Sequence, residues 1–139
     1  MIDCDVHVQI AHPEELLRYI DEAERDWYRN QAYLLGLPSY PWSNPSTWFR
    51  GDLETDETGM PGGNARVVAK EVLDDQGADL AILTADDALS VGLMENAYRA
   101  AALARAHNEW LANDWFPHDE RFRGSIIVPT QDPAAAVAE

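Results

Sequence analysis

Cysteine occurs once in the 139 residues, at Cys4. One thiol cannot close an internal disulfide, so a reducing compartment is expected. Positive charge is also scarce: 10 Lys and Arg stand against 25 Asp and Glu, a formal net charge of -15. Such a field repels phosphate backbones and anionic lipid, which argues against nucleic acid and membrane-surface partners. No apolar run approaches the ~18 residues that a spanning helix needs. The chain opens on Met1, Ile2, Asp3, Cys4 and Asp5 with no basic segment. No secretory signal is therefore expected, and the cytoplasm is the default location. What is present is an ordinary globular mixture, 46% hydrophobic and 25% charged. The length suits one domain with a real core.

Residues 2–8 alternate strictly. Ile2, Cys4, Val6 and Val8 fall on one face, and Asp3, Asp5 and His7 on the other. Period two predicts a strand. Pro13, Glu14 and Glu15 suit a helix start. Leu16, Ile20, Ala23 and Trp27 then recur at helical steps, predicting one helix over 13–35 that stops at Gly36. Residues 38–63 hold four prolines, four glycines and the aromatics Tyr40, Trp42, Trp48 and Phe49. Disordered linkers lack such aromatics, so an ordered excursion is expected, such as a cover over a pocket.

Asn64 is placed to cap a second helix, with Val67, Val68, Val72 and Leu73 inward and Gly77 closing it. Residues 79–84 form a near-continuous apolar run, as expected of a parallel strand covered on both faces. A third helix is predicted over 95–113 and a third buried strand over 124–129. Asp132 and Pro133 open a further helix, cap then first-turn proline. Strands alternating with helices predict an α/β fold with a parallel sheet of right-handed βαβ units.

Asp5 and His7 are two apart on the first predicted strand, so both side chains leave the same face. Asp oxygen and His nitrogen both ligate Zn²⁺ near 2.0–2.2 Å. The pair reads as two ligands of one divalent ion, or as a local Asp–His hydrogen bond on a polar strand end. Asp3 lies deeper and is not counted as a ligand. His12, His107 and His118 have no partner at ligand spacing, which favours surface or packing roles. Asp86 and Asp87 follow the second strand, and Thr130 and Gln131 the third. Parallel sheets place their sites at those ends, though helix-start or loop roles suit the same residues.

Asp52 to Glu57 approximates a Ca²⁺ loop but fails it. Glu57 stands where the turn glycine is required, and Gly63 where the bidentate acid is required. Gly62, Gly63 and Asn64 precede a helix without a following Lys-Ser/Thr, so they read as a helix start and not a phosphate cradle. Trp42, Trp48, Phe49 and Arg50 could line a pocket for an aromatic acid, or merely pack the excursion. Trp48 and Arg50 are the substrate-binding candidates, with Arg50 on the carboxylate. Cys4, on the apolar face, is expected to be inert core.

The opening Ile2-Asp3-Cys4-Asp5-Val6-His7-Val8 resembles the first strand of the amidohydrolase superfamily. The likeness is to the amidohydrolase-related branch that includes nonoxidative aromatic acid decarboxylases. That strand reads hydrophobic-Asp-x-His-x-His, and its two histidines bind a divalent metal. Here Asp5 replaces the first, as members of the decarboxylase branch tolerate, and His7 keeps the second. Ala106-His107-Asn108-Glu109-Trp110-Leu111 resembles the branch's Asn-(acid)-Trp-Leu helix. Residues 119–129 resemble its following strand, and Gln131-Asp132-Pro133 the opening of its next helix.

The resemblance implies three N-terminal β/α units of a distorted TIM barrel, with a long aromatic loop insertion after the first helix. A complete barrel needs roughly 250 residues, and the helix begun at Asp132 ends within two turns. A partial domain is therefore expected. The family's other ligands and its catalytic aspartate are implied to lie beyond residue 139, so no catalytic residue is assigned. The resemblance implies Asp5 and His7 as ligands of Zn or Mn, held weakly or not at all by this chain alone. It implies a hydrolase or decarboxylase of a small carbonyl or carboxylate substrate, inactive as this portion. The rival expectation is a non-catalytic association module, a split or degraded member that pairs with a second copy or a complementing chain through open sheet edges.

Overall fold

The computed structural model describes residues 1–35 and 61–139. It is mixed α/β. Three parallel strands, β1 (Ile2–Val8), β2 (Leu80–Ala85) and β3 (Phe122–Gly124), form one sheet in the order β1-β2-β3. Helices α1 (Pro13–Leu17), α2 (Glu22–Leu35) and α3 (Ala65–Val68) come between β1 and β2. Helix α3 continues as a wider π-helical stretch over Ala69–Asp75. A 3₁₀ segment (Asp86–Leu93) and α4 (Ala97–Trp110) join β2 to β3, and α5 (Pro133–Ala138) follows.

Several expected elements form for the expected reasons. Asn64 Oδ1 accepts the N–H groups of Arg66 and Val67. Asp132 Oδ1 accepts those of Ala134 and Ala135. Each cap satisfies donors that a helix start leaves open. Gly77 adopts φ +72° after the second helix, the left-handed conformation that ends helices and that glycine takes without penalty.

The core lies between one face of the sheet and the helices. Val6, Val8, Ala81, Leu83, Ala85 and Phe122 supply the strand side. Leu16, Leu17, Ile20, Tyr28, Leu73, Leu103 and Trp110 supply much of the helix side. Leu83, Leu103 and Leu111 are fully buried, each worth about 1.5–3 kcal/mol of transfer free energy. Polar ties fix α2 against α4. The Tyr28 hydroxyl donates to the Arg99 carbonyl at 2.6 Å, and Arg99 pairs with Glu24 at 2.9 Å while stacking 3.9 Å over the Trp27 ring.

The predicted helix over 13–35 is two helices. Tyr19 and Ile20 donate to the carbonyls of Leu16 and Leu17, a tight turn that ends α1. Asp21 and Glu24 then stand at capping-box spacing, and the chain restarts as α2. The break turns the apolar stripe, so that Tyr28 is buried and Ala23 exposed.

The first strand also departs from strict alternation. Three steps from Asp3 to Val6 are matched by two from Ala81 to Leu83. The extra residue is a β-bulge, and it reverses which face each side chain takes. The Asp3 carboxylate accepts the Asp5 N–H at 3.2 Å, a local bond that competes with the ladder. Val6 and Val8 are buried, whereas Ile2 and Cys4 are exposed. Cys4 is thus not inert core.

The third strand is shorter and earlier than 124–129. Pairing with β2 covers Phe122–Gly124, with one further bond from the Ser125 N–H to the Leu83 carbonyl. Beyond it Ile127 is half-buried and Pro129 buried, while Ile126 and Val128 are exposed. The run is covered on one side only.

Candidate functional site

The C-terminal ends of β1 and β2 meet in register, His7 opposite Thr84 and Val8 opposite Ala85. The next residue after β2 is Asp86. That register brings its carboxylate to the imidazole of His7, 79 positions away in sequence, with Asp86 Oδ1 2.7 Å from His7 Nδ1. On the ring's other side, Nε2 lies 3.1 Å from Asp5 Oδ1. The order is therefore Asp86, His7, Asp5, with one carboxylate on each ring nitrogen.

Three contacts hold this line in place. Gln9 is buried and donates its side-chain amide to Asp86 Oδ2 at 2.7 Å. Asp87 Oδ2 accepts the Ile10 N–H at 2.9 Å, fixing the chain just past β1. Gly62 closes the same end from behind, its carbonyl accepting the Gln9 N–H at 2.9 Å. Gly62 has φ +75°, and a Cβ there would lie 3.0 Å from the His7 carbonyl oxygen. Only glycine fits that approach without strain.

The electrostatics follow from the two carboxylates. Partial burial disfavours the imidazolium of His7, but the Asp86 hydrogen bond and the charges of Asp86 and Asp5 outweigh it, and the pKa rises above its ordinary 6.5. Asp87 is pushed up as well, chiefly by burial and further by the charge of Asp86, against the opposing Ile10 hydrogen bond.

The geometry also suits a cation. A carboxylate on Nδ1 places the proton of the neutral ring there and turns the Nε2 lone pair outward, toward Asp5. Metal-bound histidines commonly carry such a carboxylate on the other nitrogen. Two ligands of one tetrahedral zinc stand roughly 3.3–3.5 Å apart, close to the 3.1 Å between Nε2 and Oδ1. Asp5 and His7 could together hold an ion, with Asp86 orienting the ring. Among the described residues no group of three His, Cys, Asp or Glu side chains is arranged to hold one.

Other candidates take structural places. Gln131 donates its amide to the carbonyls of Val91 at 2.7 Å and Met94 at 2.8 Å, pinning the end of the 3₁₀ segment. Thr130 is exposed, and so are His12 at the start of α1 and His118 before β3. Trp48 and Arg50, with Trp42, Phe49 and residues 52–57, lie outside the described residues, as does Gly36.

Local spacing assigns neither Gln9 nor Gly62 to this site, and for Asp86 it favours a helix-start or loop role. The signal for Asp86 was its place directly after a parallel strand. The Asn108-Glu109-Trp110-Leu111 segment has a clear structural part. The Asn108 side chain donates to the Ile127 carbonyl at 2.9 Å and accepts the Ile127 N–H at 2.8 Å. Trp110 and Leu111 are core.

The chain matches no family model and no curated protein. Among the described residues no helix is long and apolar enough to cross a membrane.

Proposed function

We propose that this chain is the N-terminal three β/α units of a distorted TIM barrel from a metal-dependent amidohydrolase-related enzyme. The enzyme would be a hydrolase or nonoxidative decarboxylase acting on a small carbonyl or carboxylate substrate. The observation that supports this most is the position of His7 between two carboxylates, Asp86 on Nδ1 and Asp5 beside Nε2. Asp5 and His7 would hold the divalent ion, Zn or Mn, at the strand ends where α/β folds place their chemistry. When bound, the ion would supply Lewis-acid polarisation of an oxygen and a lowered pKa for bound water. Asp86 fixes the ring, and Gln9 fixes Asp86. A cytoplasmic setting fits the free, exposed thiol of Cys4.

Two protein ligands make a weak site, so this chain alone binds metal poorly and does not turn over substrate. Calorimetric titration with Zn²⁺ tests this. We expect micromolar or weaker binding that His7→Ala removes. Sub-micromolar binding, or binding indifferent to His7→Ala, contradicts it.

A second reading is an association module. It is favoured by the short β3 and by Ile126 and Val128, apolar yet exposed directly beyond it. Open strand edges beside apolar surface invite pairing with another chain. Sedimentation decides here: a concentration-dependent dimer supports the module, and a monomer with a cooperative melt counts against it.

A further inference from the structure

A half-open pocket lies under α1, lined by Ile10, Leu16, Leu17, Ile20 and Asp87 among others. It shares no residue with the Asp86–His7–Asp5 line. Tyr28 and His107 also border it, but both are buried. Among the described residues Asp87 is therefore the polar side chain within a ligand's reach. Its Oδ2 accepts the Ile10 N–H at 2.9 Å. Its Oδ1 has no hydrogen-bond partner among the described residues, yet it is not sealed from the surface. That oxygen is open to a ligand. Among the described residues no Lys, Arg or His pairs with Asp87, and its charged neighbours, Asp86 and Glu15, repel it. A carboxylate set among aliphatic side chains without a cation is costly.

We propose that this pocket binds an alkylammonium ion, a protonated primary aliphatic amine whose ammonium group donates to Asp87 Oδ1. The chemistry sets each part of that class. The unpaired carboxylate asks for a cation that donates hydrogen bonds. With Oδ2 held by Ile10, one oxygen is left for the ligand. That suits the point charge of an ammonium better than the two-pronged fork of a guanidinium. A hard metal ion needs several oxygen ligands, and the walls offer Ile10, Leu16, Leu17 and Ile20 instead. Those side chains take the alkyl tail. The charges of Asp86 and Glu15 add to the attraction and exclude a carboxylate of the same shape.

The test is NMR on the whole chain at neutral pH with butylamine, butan-1-ol, butyrate and ammonium chloride as probes. The readouts are the Asp87 carboxyl carbon and the Ile10 and Leu17 methyl signals. Butylamine should shift all of them saturably. Butan-1-ol should move the methyls with about tenfold weaker affinity, the difference between a charge-assisted and a neutral hydrogen bond. Butyrate should leave the methyls in place because of its charge, and ammonium because it has no tail. Asp87→Asn keeps an oxygen for the Ile10 N–H and should reduce butylamine affinity to that of butan-1-ol. Where that variant fails to fold, the contrast between butylamine and butan-1-ol on the wild-type chain decides. Equal affinity for those two probes overturns the proposal. So does a butylamine response no larger at Asp87 than at the exposed carboxylate of Asp26, which marks general attraction to an acidic surface.

Discussion

Asp86 Oδ1 lies 2.7 Å from His7 Nδ1, joining the residue that follows β2 to the imidazole near the end of β1. The bond favours the imidazolium. The sign for stability follows from the raised pKa. Between 6.5 and the higher folded value, the native state binds more protons than the unfolded one, so stability falls as pH rises through that window. We expect Asp86→Asn to lower the His7 pKa and flatten this slope. NMR titration of the His7 ring measures the first, and denaturation across pH 6–8 the second. With the ring partly exposed, the effect on stability is small.

His107 behaves in the opposite sense. Burial drives its pKa down to about 4, against the Leu103 hydrogen bond. Between about 4 and 6.5 the unfolded chain is protonated there and the native one is not. Stability is therefore lost as pH falls through that range, by about 3 kcal/mol in all. His107→Leu should remove that acid sensitivity, read by chemical denaturation at pH 4.5 and 7.

Asn108 replaces a strand neighbour for Ile127, meeting both its N–H and its carbonyl. Asn108→Ala leaves two half-buried backbone groups unpaired. We expect a loss of about 1–3 kcal/mol and faster exchange of the Ile127 amide. Exchange at Leu83, inside the ladder, should rise only as far as global stability falls.

Gly62→Ala should cost about 1–3 kcal/mol, from the positive φ and the contact with the His7 carbonyl. The same change should disturb the His7 ring signals, because the glycine seats the backbone behind them. Gly63→Ala, one residue on, serves as the control for helix start.

The α/β class was legible because residues 79–84 and the caps Asn64 and Asp132 follow local rules that tertiary packing did not override. The bulge in β1 was not. Asp3 diverts the Asp5 N–H through a local bond, and nothing in an alternating pattern marks that competition. The division of the first helix was missed although Asp21 and Glu24 carried a capping-box spacing. At the site, Asp5 and His7 were visible as a two-residue step on one strand. Asp86 and Gln9 needed the register between strands, which sets long-range neighbours that no local spacing contains. Gly62 needed the third dimension too, since its constraint is a carbonyl 55 residues earlier, at His7.

Paramagnetic line broadening by Mn²⁺ tests most directly whether Asp5 and His7 form a cation site. We expect saturable broadening centred on the His7 ring and the Asp5 methylene. Asp5→Asn should sharply weaken it, and Asp86→Asn should weaken it roughly 10–100-fold by releasing the ring. A His7 ring left sharp while other acidic surface broadens, or broadening unchanged by Asp5→Asn, contradicts the metal reading.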